Sequence, residues 1–305
     1  MKPGEGTVLV TGATGFIGKR LVKALVEEGY DVRCMVRRPD AKLPPGAEAA
    51  VGDMLEPAGL NAVLKGVKCA YYLVHSMGGG RAGFERRDRQ AAEYFRAAAE
   101  RAGVSRVIYL GGLGENGTEL SEHLASRLEV AQILMAGSYK TTFLRAPVII
   151  GAGGSSFEMI RYMVERLPLM ITPRWVSTRT QPIAVADVIG YLAGCLREEK
   201  TAGETLDIGG PEILSYREMM ERFAKIEKKS VLIIPIPFFT LKLSSYWIGL
   251  ITPVKPSIAM PLIEGVRNEM VCRDQRIREL VPIKLTGYDE AIRIALDEEN
   301  KLNGK

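Results

Sequence analysis

Val8-Leu9-Val10-Thr11-Gly12-Ala13-Thr14-Gly15-Phe16-Ile17-Gly18 joins a short apolar run to the start of a helical pattern. The spacing predicts a strand, a tight glycine turn and a helix N-terminus. Gly12 permits the turn. Gly15 has no Cβ, so the backbone can approach a bound group closely, and Gly18 lets the helix lie against the strand. The first turn of such a helix offers unpaired N–H groups and the positive end of the dipole, which together suit phosphate. Residues 11–18 (Thr11, Gly12, Ala13, Thr14, Gly15, Phe16, Ile17 and Gly18) are therefore expected to cradle the pyrophosphate of a dinucleotide.

The rhythm outward from this loop agrees. A helix is expected over 16–28, with Ile17, Leu21, Ala24 and Leu25 on one face and Gly29 at its end. Strands are expected at 32–36, 47–51, 69–74 and 107–110, with a sixth beginning at 142–144. Helices are expected between them at 57–65, 84–102 and 119–136. Alternating strands and helices predict an α/β fold, a Rossmann doubly wound parallel sheet covered on both faces. After Gly151 the rhythm loosens. Residues 1–151 read as the nucleotide-binding domain. Residues 152–305 read as a smaller, mostly helical substrate-capping region, with some segments returning to the sheet.

Bulk properties bound the alternatives. The chain has 305 residues, 47% hydrophobic and 25% charged, and a net charge of +5. Its basic residues are interleaved with acids, as in Glu85-Arg86-Arg87-Asp88-Arg89, which reads as a solvated helix face rather than a nucleic-acid stripe. The four cysteines form no CxxC pair and there are two histidines, so a structural zinc site is not expected; Cys34 and Cys69 read as buried thiols in a reducing, cytoplasmic setting. No signal peptide is read at the N-terminus. The apolar stretch 231–254 is broken by Pro235, Pro237 and Lys242. It reads as a buried strand and helix rather than an integral membrane segment, with a lipid-facing or substrate-facing surface as the alternative. Trp175, Phe238, Phe239, Tyr246 and Trp247 suggest either an apolar pocket or simple core.

Cofactor choice is read just past the second strand. A carboxylate there would hold the 2′-hydroxyl of NAD(H), but the sequence has Arg37-Arg38, and a guanidinium can bind the 2′-phosphate of NADP(H). NADP(H) is expected ahead of NAD(H). The fourth strand ends in Val74-His75-Ser76, at the carboxyl edge where a doubly wound sheet binds its ligand. Val74, His75 and Ser76 are thus expected near the cofactor, and His75 is a candidate proton donor.

The pattern GxxGxxG preceded by Thr11 resembles the extended and atypical branches of the short-chain dehydrogenase/reductase superfamily, in particular NmrA-like and other NAD(P)H-binding oxidoreductases. The resemblance covers nearly the whole chain. It extends to residues 144–151, which are similar to an LRPxxVxG strand end with Ala146 inserted, and to residues 181–188, which are similar to a PIxVxDVA segment. It implies that Asp53, with Met54, contacts the adenine. It also implies a catalytic YxxxK on the helix after the fifth strand, yet none of the 11 tyrosines has Lys four residues later. That helix instead carries His123 and Arg127 at the same spacing, on one face. His123 is a second candidate for proton exchange, and Arg127 for holding ribose hydroxyls. The family's serine is also replaced, by the glycines of 111–114.

Two functions are compatible with these residues. One is an NADPH-dependent reductase of a small to medium apolar carbonyl or unsaturated compound, taking a small-molecule substrate. The other is a non-catalytic NADP(H)-binding redox sensor or accessory subunit, with a protein partner or as a homo-oligomer. Sugar-nucleotide epimerase chemistry is weaker, because it leans on the absent tyrosine.

Overall fold

A computed structural model describes residues 1–75, 84–114, 122–172, 174–235 and 268–302. The first half builds β1 (Thr7–Val10), α1 (Phe16–Glu27), β2 (Val32–Val36), β3 (Glu48–Val51), α2 (Pro57–Leu64), β4 (Val67–Tyr72), α3 (Phe84–Arg101), β5 (Arg106–Gly112), α4 (Glu122–Met135) and β6 (Lys140–Ala146). The second half adds β7 (Ile149–Ile150), α5 (Ser155–Arg166), β8 (Leu169–Thr172), β9 (Arg179–Thr180), β10 (Ile183–Ala184), α6 (Val185–Arg197) and β11 (Thr205–Asp207). It continues with β12 (Leu214–Ser215), α7 (Tyr216–Ile226), β13 (Leu232–Pro235), α8 (Arg276–Leu280) and α9 (Tyr288–Leu302).

The main sheet has seven strands in the order β11-β6-β5-β4-β1-β2-β3, each parallel to its neighbour. The order reverses between β1 and β4. At such a switch point the connections leave in opposite directions and open a crevice at the carboxyl ends of the strands. This is the expected Rossmann α/β architecture.

Strand alternation sorts the side chains to two faces. On one face Val8, Val10, Cys34, Tyr71, Ile108 and Leu144 pack against Leu21, Val22 and Leu25 of α1 and Val188, Leu192 and Leu196 of α6. On the other, Leu9, Met35, Tyr72, Val107, Tyr109 and Phe143 meet α2, α3 and α4, with Phe95 and Leu134 among the contacts. Tyr72 sits edge-on to Phe95 at 5.1 Å and to Tyr109 at 5.9 Å, and Tyr109 stacks on Phe143 at 5.2 Å. All four cysteines are buried free thiols. Burial alone holds Cys34 up at about 12, and burial is the leading cause that holds Cys69 at about 12, Cys195 at about 11 and Cys272 at about 12.

A further core, formed by α5, α7, α9 and the short strands, holds Phe157, Met163, Trp175, Met219, Phe223 and Ile292. Trp175 lies edge-on to Tyr216 at 5.8 Å, so it serves this core. Phe238, Phe239, Tyr246 and Trp247 lie outside the described residues. The polypeptide crosses between the two regions more than once. Arg145 on β6 binds Asp207 on β11 through Nε at 2.7 Å, and the other Asp207 oxygen accepts the N–H groups of Arg273 and Asp274. Asp187, at the start of α6, accepts the Thr286 N–H at 2.8 Å and hydroxyl at 3.0 Å, a structural role. Among the described residues no helix is long and apolar enough to cross a membrane.

Candidate functional site

The crevice is built on the loop between β1 and α1. Gly12 has φ +65, which L side chains rarely adopt, and a Cβ there would stand 2.7 Å from the Leu73 carbonyl oxygen. A Cβ at Gly15 would come within 3.1 Å of the Gly12 carbonyl, and one at Gly18 would overlap it. Thr11 fixes the loop against β4: its hydroxyl donates to the Tyr71 carbonyl at 2.9 Å and accepts the Leu73 N–H at 3.0 Å. Gly15 is the N-cap of α1. It offers no side-chain cap, and the first turn holds no acid. The N–H groups of Phe16, Ile17 and Gly18 therefore begin a helix whose positive end is neither capped by a side chain nor faced by a carboxylate of its own. These features fit a pyrophosphate.

Phe16 has a second job. Its ring packs beneath Arg20 and against Gly151 and Gly154, where added Cβ atoms would meet it at 3.2 and 2.9 Å. Arg20 is spanned across to Glu298 on α9 at 2.8 Å and to the Ala152 carbonyl at 2.9 Å, so it braces the loop's surroundings.

Arg37 and Arg38 follow β2 directly and are exposed. Asp53 Oδ1 accepts the Leu55 N–H at 2.9 Å, which turns the chain ahead of α2, although the N-cap of that helix is Glu56. The Met54 side chain is buried with Leu60 and Val63 on the α2 side of the sheet, leaving its backbone as the part able to meet a nucleotide.

The carboxyl end of β4 holds the feature that sequence reasoning missed. His75 Nδ1 lies 3.0 Å from Asp88 Oδ2 on α3. Asp88 is 4% exposed, which corrects the reading of 85–89 as a wholly solvated face: the helix turns this one carboxylate inward. Helical spacing around Asp88, with Ala91, Ala92 and Phe95 on the buried side, was the available signal. Burial holds the His75 imidazole below its usual value of 6.5, and the nearby Arg127 charge adds to this, while Asp88 opposes both. Arg127, on α4, donates to the Leu110 carbonyl at 2.6 Å and lies 5.4 Å over the Tyr109 ring. His75, Asp88 and Arg127 are thus brought together at the ends of β4 and β5, above the aromatic row of the sheet. A carboxylate can only accept, so the neutral imidazole carries its proton on Nδ1 and presents Nε2 as the basic nitrogen. His123 lies on α4 with its side chain outside the described residues, and Ser76 lies outside them altogether.

The fold and loop define a dinucleotide-binding Rossmann protein. Residues 12–151 match the family model described as NAD(P)H-binding. The chain is 33% identical over 203 residues to a ceramide reductase of Caulobacter vibrioides, a match covering 63% of this chain and 62% of that protein. It is 25% identical over 279 residues to a divinyl chlorophyllide a 8-vinyl-reductase of Oryza sativa, covering 85% and 68%. The structure of a UDP-glucuronic acid 4-epimerase from Bacillus cereus in complex with NAD superposes with a TM-score of 0.74 at 16% identity, covering 97% of this chain and 99% of that one. At that identity the superposition speaks for the fold.

Proposed function

We propose that this protein is an NADPH-dependent reductase of a fairly apolar carbonyl or unsaturated compound, acting in the cytoplasm. The observation that carries the reading is the His75–Asp88 pair, held beside Arg127 at the carboxyl edge of the sheet, next to the glycine loop. Residues 11–18 would hold the pyrophosphate, with Asp53 and the Met54 backbone at the adenine. Arg37 and Arg38 would select the 2′-phosphate, because a guanidinium pairs with it and no carboxylate stands at the strand end to repel it. Val74, His75 and Ser76 would line the reactive end. When bound, NADPH supplies a hydride.

His75 Nε2 would exchange the proton with the substrate, and Asp88 would hold the ring and its tautomer. Arg127 would orient ribose hydroxyls with the donors not given to Leu110. His123 is the second group proposed for proton exchange. Two relatives are named as reductases, of ceramide and of a vinyl group on divinyl chlorophyllide a. The matched region is about three fifths to two thirds of their length, and it supports the reductase class rather than either substrate.

Titration of NADPH and NADH into purified protein, by intrinsic fluorescence and calorimetry, tests the cofactor half; failure to bind either would overturn it. A screen of apolar carbonyls and enones for NADPH oxidation tests the chemical half. His75→Ala should abolish most turnover and keep NADPH affinity. The absence of YxxxK favours one other reading, a non-catalytic NADP(H)-binding sensor or accessory subunit. It is distinguished by tight NADPH binding with no turnover on any acceptor.

A further inference from the structure

Strands β8 and β13 form a parallel pair away from the main sheet, with Leu232 beside Leu169 and Ile234 beside Ile171. Alternation turns Met170 and Ile233 into the second core. It turns the other four side chains outward: Leu169 is 49% exposed, Ile171 49%, Leu232 58% and Ile234 42%. The remaining large exposed hydrophobics among the described residues, Val51, Leu55, Met135, Ile213 and Ile294, are scattered over other segments. Scattered residues are ordinary on a soluble surface, whereas a contiguous aliphatic face marks a site of contact.

The rim of this face is basic. Arg166 stands at the end of α5 just before β8, and Lys228 and Lys229 stand just before β13; all three are exposed. The two approaches are tied together, because the Leu232 N–H donates to the Pro168 carbonyl at 2.8 Å. Lys225, exposed in the last turn of α7, adds a further positive charge near the same end. Glu227 pairs with Lys229 at 3.9 Å, which offsets that lysine's charge, and Glu165 is bound by Arg161 at 2.8 Å, so the rim's net positive charge rests on Arg166, Lys225 and Lys228.

We propose that this face docks on a lipid bilayer bearing anionic headgroups. Aliphatic side chains on one surface would enter the acyl boundary while lysines at the rim meet phosphate groups, the composition of an interfacial membrane site. A protein partner is the poorer fit. Protein interface centres are enriched in aromatic residues, whereas the outward side chains of this pair among the described residues are all aliphatic. The inference is independent of the reductase reading, since it concerns a strand pair outside the seven-stranded sheet and its test needs no turnover.

The test is co-sedimentation of the full chain with vesicles of phosphatidylcholine plus phosphatidylglycerol, against vesicles of phosphatidylcholine alone. The wild-type protein should bind the anionic vesicles in a salt-sensitive way and the neutral ones weakly. Ile171→Glu/Leu232→Glu should lower binding about tenfold or more, and Lys225→Gln/Lys228→Gln/Lys229→Gln should remove most of the preference for anionic lipid. Both variants should keep the wild-type melting temperature and NADPH affinity. Hydrogen exchange on the wild-type chain gives a second readout that survives a misfolded variant: 169–172 and 232–235 should gain protection when anionic vesicles are added. No wild-type binding, unchanged binding by the Glu variant, or no protection of those strands would overturn the proposal. So would a wild-type dimer that the Glu variant dissociates, because the face would then join two copies of the chain.

Discussion

Asp88 shows how much one side chain can change the reading of a site. In the chain it is one charge in Glu85-Arg86-Arg87-Asp88-Arg89; in the fold it is buried against His75 at 3.0 Å. Asp88 is the group that favours the imidazolium, while burial and Arg127 oppose it. Asp88→Asn should therefore lower the His75 pKa further, and Arg127→Gln should raise it. With two histidines in the chain, the ring resonances can be followed directly by NMR titration. A His75 pKa that is unmoved in both variants would show that the pair is not coupled as described. The same shift has a consequence for stability. A folded pKa below the unfolded 6.5 means that the unfolded chain binds the proton more readily, so this contribution is present above pH 6.5 and is lost as pH falls from there through the folded value. At the end of β2, Arg37→Ala should weaken NADPH about tenfold or more and leave NADH nearly unchanged, measured by parallel titrations. An equal loss for both cofactors would remove the 2′-phosphate reading.

Helices carry the next set of expectations. Helix α1 lies against the loop because position 18 has no Cβ. Gly18→Ala would drive a methyl into the Gly12 carbonyl, shift the helix start, and weaken NADPH binding by an order of magnitude or more while lowering the melting temperature. Helix α7 begins with a full capping box, in which Ser215 Oγ accepts the Glu218 N–H at 3.2 Å and Glu218 accepts the Ser215 N–H at 2.7 Å. Ser215→Ala should cost about 1 kcal/mol in chemical denaturation. Helices α5 and α9 meet through Glu158, Arg161 and Glu299. Burial, then the hydrogen bond and charge of Glu158, raise Glu299 to about 7, and the Arg161 charge opposes this. A raised carboxyl pKa means that the folded state holds the proton more tightly. Its stabilisation is complete below pH 4.5 and is lost as pH rises through about 7. Glu299→Gln should flatten that part of the melting-temperature profile.

At the scale of the whole molecule, local pattern and long-range contact divide cleanly. The glycine loop, the order of strands and helices from β1 to β6, and the two-faced sheet were legible in the sequence, because each depends on residues a few positions apart: spacing in 11–18, period two in the strands, and glycine or proline at element ends. The observed bounds of β2 coincide with the reading of 32–36. The contacts that shape the site were not legible. Asp88 reaches His75 from another element, Arg145 meets Asp207 across 62 positions, and Arg20 meets Glu298 across 278. No periodicity encodes such pairs, since they exist only once the sheet has set the distance between its strands. The outward row of Leu169, Ile171, Leu232 and Ile234 belongs with them. Both strands are apolar at nearly every position, so no alternation shows in the sequence, and only the fold's burial pattern and their parallel register make the four side chains one surface. What the sequence by itself determined was therefore the glycine loop between β1 and α1, because its geometry is made by neighbouring backbone. What only the tertiary structure decided was the acid–base pairing and the contact face, because those depend on which distant side chains the fold brings within a few ångströms of each other.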